Sequence, residues 1–189
     1  MDTEELTIGL GDGIIMRPVR ASDVDAVFDI VTKNYDHLRT FMEWAKPDYS
    51  RKDAEEWVLK AVPAAADGTT LNFCILRDDK MIGTIGFAYF DKAARVTEIG
   101  YWIDAAEEGK GIMGRATEKL IDLAFNDLDM NRVQIRCADA NVRSAGIPQR
   151  LGFRKEGVQR QHIERDGKVY DFLIFGLLRD EWQQRNSNQ

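Results

Sequence analysis

Apolar residues follow two different periods along this chain, and the change of period outlines the fold. Early on they recur every three or four positions: Val24, Val27, Ile30 and Val31 predict an amphipathic helix running to about Asn34. Ser22 stands at its N-cap, with Asp23 and Asp25 in the first turn, where the helix dipole favours negative charge. Leu38, Phe41, Met42 and Trp44 predict a second helical stretch ending near Pro47, and Ser50 caps a third through Trp57, Val58 and Ala61. A short strand, residues 14–18, precedes all three. Beyond residue 70 the period becomes two. Residues 73–76, a turn at Asp78-Asp79-Lys80 and residues 81–87 predict a β-hairpin, and a further strand runs from Val96 to Ile103. Met113, Ala116, Leu120, Leu123, Ala124 and Leu128 then mark one face of a helix. A strand at 133–138, a short helix from Ser144 to Leu151, strand from Phe153 onward and a last strand from Tyr170 to Leu178 complete the pattern.

The middle strands are joined by turns too short for crossovers, so the sheet is expected to be mixed but mostly antiparallel and flanked by helices. No internal repeat and no linker rich in Pro, Gly or Ser interrupts it, so residues 1–189 read as a single α/β (α+β) domain.

Composition narrows the function classes. At 189 residues, with 44% hydrophobic and 31% charged, the chain has enough apolar surface for one substantial core. A net charge of -6 speaks against bulk attraction to nucleic acid or an anionic membrane and favours an amine-bearing partner. Cys74 and Cys137 lie apart in apolar runs with no CxxC, which predicts free thiols and a reducing, cytoplasmic setting. The N-terminal Met1-Asp2-Thr3-Glu4-Glu5 is acidic and has no apolar core of signal-peptide length; no run approaches the ~20 apolar residues of a membrane span. His37 and His162 are isolated, so no metal is expected and both read as surface or core residues.

The most informative stretch is Glu98 to Gly114: a strand, a turn rich in glycine and lysine, and the start of a helix. Gly109-Lys110-Gly111-Ile112-Met113-Gly114 opening a helix is an anion site, because free N–H groups converge there and glycine admits a phosphate closely. The letters also spell G-x-G-x-x-G, the dinucleotide fingerprint, with Asp139 as a ribose acid. Against that reading, Asp104 to Glu108 separate the strand from the first glycine, the preceding hairpin implies an antiparallel neighbour, and too little chain follows for a doubly wound fold. A Walker A loop fails for want of a Lys-Ser or Lys-Thr after the glycines.

Residues 108–113 resemble motif A of the GNAT N-acetyltransferases, a strand followed by Gln/Arg-x-x-Gly-x-Gly/Ala. Asn141-Val142-Arg143-Ser144 and Ile147-Pro148-Gln149-Arg150-Leu151-Gly152-Phe153 resemble the Asn-x-x-Ser…Ile-Pro-Glu-Lys-Leu-Gly-Phe run of the RimJ/RimL branch, the ribosomal-protein N-acetyltransferases and relatives. Arg17-Pro18, Glu98-Ile99-Gly100-Tyr101-Trp102 and Leu177 to Trp182 match that branch too. The resemblance implies a GNAT-like domain that binds acetyl-CoA as co-substrate through Trp102, Ile103, Glu108, Gly109, Lys110, Gly111, Ile112, Met113, Asn141 and Ser144. It also implies that the strand of Tyr101 to Ile103 splays from its neighbour, its N–H groups polarising the thioester oxygen. Two positions depart from the pattern. Glu108 replaces Gln or Arg, with Lys110 placed to offset it, and Ala145-Gly146 replaces Arg-Ala, which removes a cation and loosens the helix start.

Acetyl transfer to an amine needs a neutral amine, a polarised carbonyl and a proton source for the leaving thiolate. Glu98, on the strand before the turn, is the candidate base; its alternative is an exposed or salt-bridged structural carboxylate. The position where many family members carry a tyrosine acid falls on Pro148, so Ser144 is the candidate at the sulfur, with helix capping its alternative. Cys137 lacks a histidine base and is a poor nucleophile. Trp44, Trp57 and Trp102 read as core or as an acceptor pocket, and Asp104, Glu107 and Glu108 as a solvated loop. The expectation is direct transfer to a primary amine, a protein N-terminal α-amine before a small amine, with a non-catalytic acetyl-CoA binder as the alternative. Exposed sheet edges make a homodimer an expectation as well.

Overall fold

The computed structural model describes residues 6–165 and 167–187; the acidic run of residues 1–5 lies outside them. One eight-stranded sheet in the order β1-β2-β3-β4-β5-β6-β8-β7 forms the centre. β1 (Ile8–Gly11) and β2 (Ile14–Pro18) lead into α1 (Val24–Lys33), α2 (Tyr35–Leu38) and α3 (Arg51–Ala66). β3 (Leu71–Arg77), β4 (Lys80–Asp91) and β5 (Val96–Ile103) follow as a meander. Then come α4 (Ile112–Asp122), β6 (Arg132–Ala138), α5 (Val142–Arg150), β7 (Arg154–Arg165), β8 (Lys168–Leu178) and α6 (Arg179–Ser187). Every neighbouring pair of strands is antiparallel except β5 and β6. The mixed, mostly antiparallel sheet read from the turn lengths is thus present.

Alternation along the strands sends side chains to two cores. Phe73 and Ile75 of β3 face a cluster with Ile112, Leu120, Ile121 and Trp182, which buries α4 and α6. Cys74 and Leu76 face the opposite cluster, with Val27, Val31, Ala54 and Val58 of α1 and α3. Among the described residues no helix is long and apolar enough to cross a membrane.

Local chemistry changes three of the expected elements. Ser22 is not a cap: a 3₁₀ turn at Ala21–Asp23 precedes α1, and the Asp23 carboxylate takes the Arg20 N–H at 2.7 Å. Asp23 also accepts both Arg17 amines at 2.7 and 2.8 Å, a charged pairing that a serine hydroxyl cannot match. The second helical stretch shrinks to one turn. From Leu38 to Tyr49 the chain proceeds through successive turns (Phe41 N–H to Leu38 O, Ala45 N–H to Met42 O, Tyr49 N–H to Lys46 O), and Pro47 bars Lys46 from helical backbone. The helix after the glycine turn widens to a π turn over Leu123–Asp127. Ser50 caps α3 as expected, its hydroxyl and Asp53 forming a reciprocal capping box. β1 and α6 were not legible, the first short and glycine-rich, the second almost wholly polar.

Candidate active site

β5 and β6 pair in register only from Val96/Arg132 to Glu98/Gln134. Beyond Glu98 they diverge, so the β5 edge from Ile99 to Ile103 faces a fork rather than a neighbouring strand. One end of the fork opens on the glycine turn. Gly109 and Gly111 have φ of +75° and +72°, values that L side chains rarely adopt. Cβ atoms placed on Gly109 or Gly114 would meet nothing within 4 Å, so that side of the turn is open. The first helical bond here is Arg115 N–H to Gly111 O at 3.1 Å, which leaves the N–H groups of Ile112, Met113 and Gly114 as the free donors of the α4 start. An anion fits that cradle.

The acidic run beside the cradle is not a solvated loop. Asp104 is only 6% exposed, accepts Lys33 at 2.6 Å, and is held below the usual carboxylate range because Lys33 and the Ala106 N–H outweigh its burial. Glu107 takes Arg77 at 2.9 Å and Lys110 at 3.2 Å. Glu108 pairs with Arg143 from α5 and with His37 Nε2 at 3.3 Å. The expected offset of Glu108 by Lys110 is therefore supplied by Arg143 instead, and His37, beside the same carboxylate, lines the cleft. Sequence spacing could not show this, since residues 37, 108 and 143 meet only through the fold.

At the other end of the fork Asn141 caps α5, its Oδ1 accepting the Ser144 N–H at 3.1 Å. Pro148 has no N–H to give the Ser144 carbonyl, and the Tyr101 hydroxyl donates to that carbonyl at 3.2 Å. Ser144 Oγ–H in turn donates to the Tyr101 oxygen at 3.3 Å. Capping thus falls to Asn141, and the Ser144 hydroxyl faces the cleft in company with a tyrosine that sequence reasoning passed over. The only signal was Pro148, which removes one proton donor and leaves a carbonyl for another group to satisfy. Burial pushes the Tyr101 phenol well above its ordinary range. It also raises the Cys137 thiol, which weakens that residue further as a nucleophile.

Two cavities meet along this stretch. One, about 760 Å³, holds the glycine turn, Arg143 and Arg150. The other, about 710 Å³, is walled by Trp44, Tyr49, Trp57, Trp102 and Phe172 and contains Glu98. Phe41, Met42, Tyr101, Trp102, Asn141 and Ser144 line both. All three tryptophans singled out in the sequence face the second cavity. Trp44 lies 5.8 Å from Trp102 and 6.3 Å from Tyr49, ring centre to ring centre. Glu98, at the apex of the fork, accepts from Gln134 at 2.8 Å and from Arg136 Nε at 3.0 Å. The ion pair weighed as its alternative is therefore present, within the cavity itself. Asp53, also on the wall, lies well below the usual range through its bonds to Lys46 and Ser50, and burial pushes the Tyr49 phenol up to about 12.

This combination of forked sheet, phosphate cradle and paired cavities defines an acyl-coenzyme A transferase, and the family comparison agrees. A model of the acetyltransferase (GNAT) domain matches residues 14–154, and the chain belongs to that family of acetyl-CoA-dependent N-acetyltransferases. Among its relatives is YdaF of Bacillus subtilis, named provisionally as a ribosomal N-acetyltransferase, 31% identical over 178 residues spanning 94% of this chain and 97% of YdaF. The ribosomal-protein-serine acetyltransferase of Escherichia coli is 28% identical over 155 residues, 82% of this chain and 87% of that one. A crystal structure of a probable acetyltransferase superposes with a TM-score of 0.85 at 31% identity, covering 94% of this chain and 99% of the other. RimL, a ribosomal L7/L12 α-N-protein acetyltransferase solved with coenzyme A, shares the fold with a TM-score of 0.88 at 23% identity, over 93% and 99% of the two chains.

Proposed function

We propose that this chain acetylates the N-terminal α-amine of a protein by direct transfer from acetyl-CoA, with both substrates bound together. The observation that carries this reading is the junction of the two cavities at Tyr101, Trp102, Asn141 and Ser144. A donor entering past the glycine turn and an acceptor entering past the tryptophans meet there directly, and Cys137, on the wall beside Ser144, is a poor nucleophile because burial raises its thiol. Relatives named for ribosomal proteins supply the acceptor class. An α-amine near pKa 8 is also easier to deprotonate than a lysine near 10. In this reading the main-chain N–H groups of Gly109 to Met113 hold the diphosphate, and the free β5 edge at Trp102 and Ile103 orients the thioester oxygen. Glu98 receives the amine proton through a water while Arg136 and Gln134 hold its carboxylate in place. Ser144 hydrogen-bonds the departing thiolate. The two free, buried thiols, Cys74 and Cys137, support work in the cytoplasm.

The test is acetyl-CoA turnover over a panel of N-terminal peptides, polyamines and aminoglycosides, with free thiol measured and the acetylated atom located by mass spectrometry. Peptide α-amines are expected to be the best acceptors. Faster turnover of a small amine would replace the acceptor assignment, and acetyl-CoA binding with no turnover of any amine would make the chain a non-catalytic binder. Glu98→Gln is expected to flatten the limb of the pH–rate profile that reports the base; an unaltered profile returns Glu98 to its ion pair.

A further inference from the structure

The charged groups on the wall of the tryptophan-lined cavity balance: Lys46, Lys60 and Arg136 stand against Asp53, Glu56 and Glu98. Each carboxylate already has a cation beside it, Lys46 on Asp53 at 2.8 Å, Arg136 on Glu98 at 3.0 Å and Lys52 near Glu56 at 4.0 Å. A polycationic acceptor therefore finds little to bind there. Much of the remaining wall is aromatic and loosely packed. Trp44 is 42% exposed, and its ring meets Tyr49 and Trp102 at tilts of 56° and 54°, which leaves ring surface open to a guest. On the floor, Gly86 of β4 and Gly100 of β5 lie opposite each other. A Cβ on Gly86 would meet Leu71 O at 2.7 Å, so the neighbouring main chain requires that glycine. A Cβ on Gly100 would meet nothing within 4 Å, and its φ is outside the left-handed region that favours glycine. Packing within the protein gives no reason for a glycine at 100. By strand alternation it lies between Glu98 and Trp102 on one face of β5, the face that carries the cavity.

We infer that this cavity takes a large uncharged apolar side chain, aromatic or methionine, carried on the carbon next to the acceptor amine, and that Gly100 is the specificity-determining floor that admits it. The inference rests on the α-amine reading and narrows its substrate class to polypeptides that begin with a bulky apolar residue. An amine held between Glu98 and Trp102 sends its substituent across Gly100 toward Trp44, Tyr49 and Trp57. An aromatic ring meets those rings edge to face or offset, and a thioether packs against their edges. A serine or alanine side chain fills little of a cavity of about 710 Å³ and so gains little from its wall.

The test is kcat/KM on the full chain at saturating acetyl-CoA, with peptides identical except for a first residue of Phe, Met, Ala or Ser. Phe and Met peptides are expected to exceed Ala and Ser peptides by about 10- to 100-fold, the size of burying one large apolar side chain. Equal values, or faster turnover of the Ala or Ser peptide, would overturn the inference while leaving the α-amine reading in place. Two simple amines separate the readings from the other side. If no peptide is acetylated the α-amine reading fails; preference for 2-phenylethylamine over ethanolamine then still supports the apolar seat, and no preference overturns it. Spermidine is expected to be slower than 2-phenylethylamine, and the reverse order would refute the charge-balance argument. Gly100→Val fills the open floor and is expected to lower the Phe-to-Ala ratio of kcat/KM at least about fivefold. Trp44→Ala, on an exposed turn where no element depends on its ring, is expected to lower the same ratio through loss of wall. A ratio that survives both substitutions would overturn the inference.

Discussion

Ser144→Ala offers a quantitative test of the thiolate end of the site. The Ser144 hydroxyl donates to Tyr101 at 3.3 Å and also reaches the Cys137 thiol, and rotation about one bond turns it toward the cleft. Full proton transfer from this pair to a thiolate is uphill. An ordinary phenol near 10 against a thiol near 8.5 is a gap of about 1.5 pH units, or about 2 kcal/mol, and burial at Tyr101 widens it. A serine hydroxyl is weaker still as an acid. In the proposed mechanism the pair therefore acts by hydrogen bonding, and one bond to a charged group contributes about 1.5–3 kcal/mol. Removing it is expected to lower the single-turnover rate at saturating acetyl-CoA by about 10- to 150-fold with little change in the acetyl-CoA dissociation constant. Ser144→Thr, which keeps the hydroxyl, is expected to recover most of the rate. Rapid-quench measurement of acetylated peptide reads this step apart from product release. An unchanged rate would remove Ser144 from the chemistry. A fall beyond about 10⁴-fold would refute the hydrogen-bonding argument, since only loss of a true acid reaches that size.

Other expectations follow from the ion pairs. Arg17→Met leaves the Asp23 carboxylate, 6% exposed, without its guanidinium and is expected to destabilise the fold by about 3–5 kcal/mol in urea titration. Adding Asp23→Asn should restore part of that loss; a further loss would contradict the buried-charge explanation. Burial raises Asp23, but Arg17 and the Arg20 N–H outweigh it and hold its folded pKa below the ordinary value. Its contribution is accordingly complete above about pH 4 and disappears as pH falls through the lower folded value, so the stability gap between wild type and Arg17→Met should narrow in acid. Glu108→Gln frees Arg143, 77% exposed, for the coenzyme phosphates and should tighten acetyl-CoA by up to about fivefold; weaker binding would show Glu108 to be a structural anchor of the turn. Ser50→Ala should cost about 1 kcal/mol through loss of the α3 cap without altering turnover.

Elements that depend on short-range pattern were legible from the sequence. The β3–β4 hairpin, the bounds of β5, the Ser50 cap and the glycine turn all rest on residues within a few positions of one another. The readings that failed depend on distant partners. Ser22 lost the cap because Arg17 reaches Asp23, and the stretch after Leu38 abandoned helix because Phe41, Met42 and Trp44 serve two different cavities rather than one face. The same holds at the site. Asn141 and Ser144 were found by motif, but the division of labour between them required Tyr101, which alternation alone places on the strand face opposite Glu98. Glu108 looked ill-suited to a phosphate site until the fold brought Arg143 and His37 to it.

The tryptophan-walled cavity, proposed above as the acceptor site, also has a bearing on when the protein becomes competent. Phe41 meets Tyr170 edge to face at 6.0 Å, Glu43 meets Arg165 at 3.3 Å, and Phe172 completes the wall. Its roof is thus stitched from both extremes of the chain, whereas the phosphate cradle closes around residues 104–150. During synthesis, which proceeds from the N-terminus, neither site is finished early, because β8 runs between β6 and β7 and buries Phe175 and Leu177 in the core beneath α4. A nascent chain therefore gains its grip on the donor and its place for an amine together, when the final hairpin emerges, and a truncation before β8 should lose both.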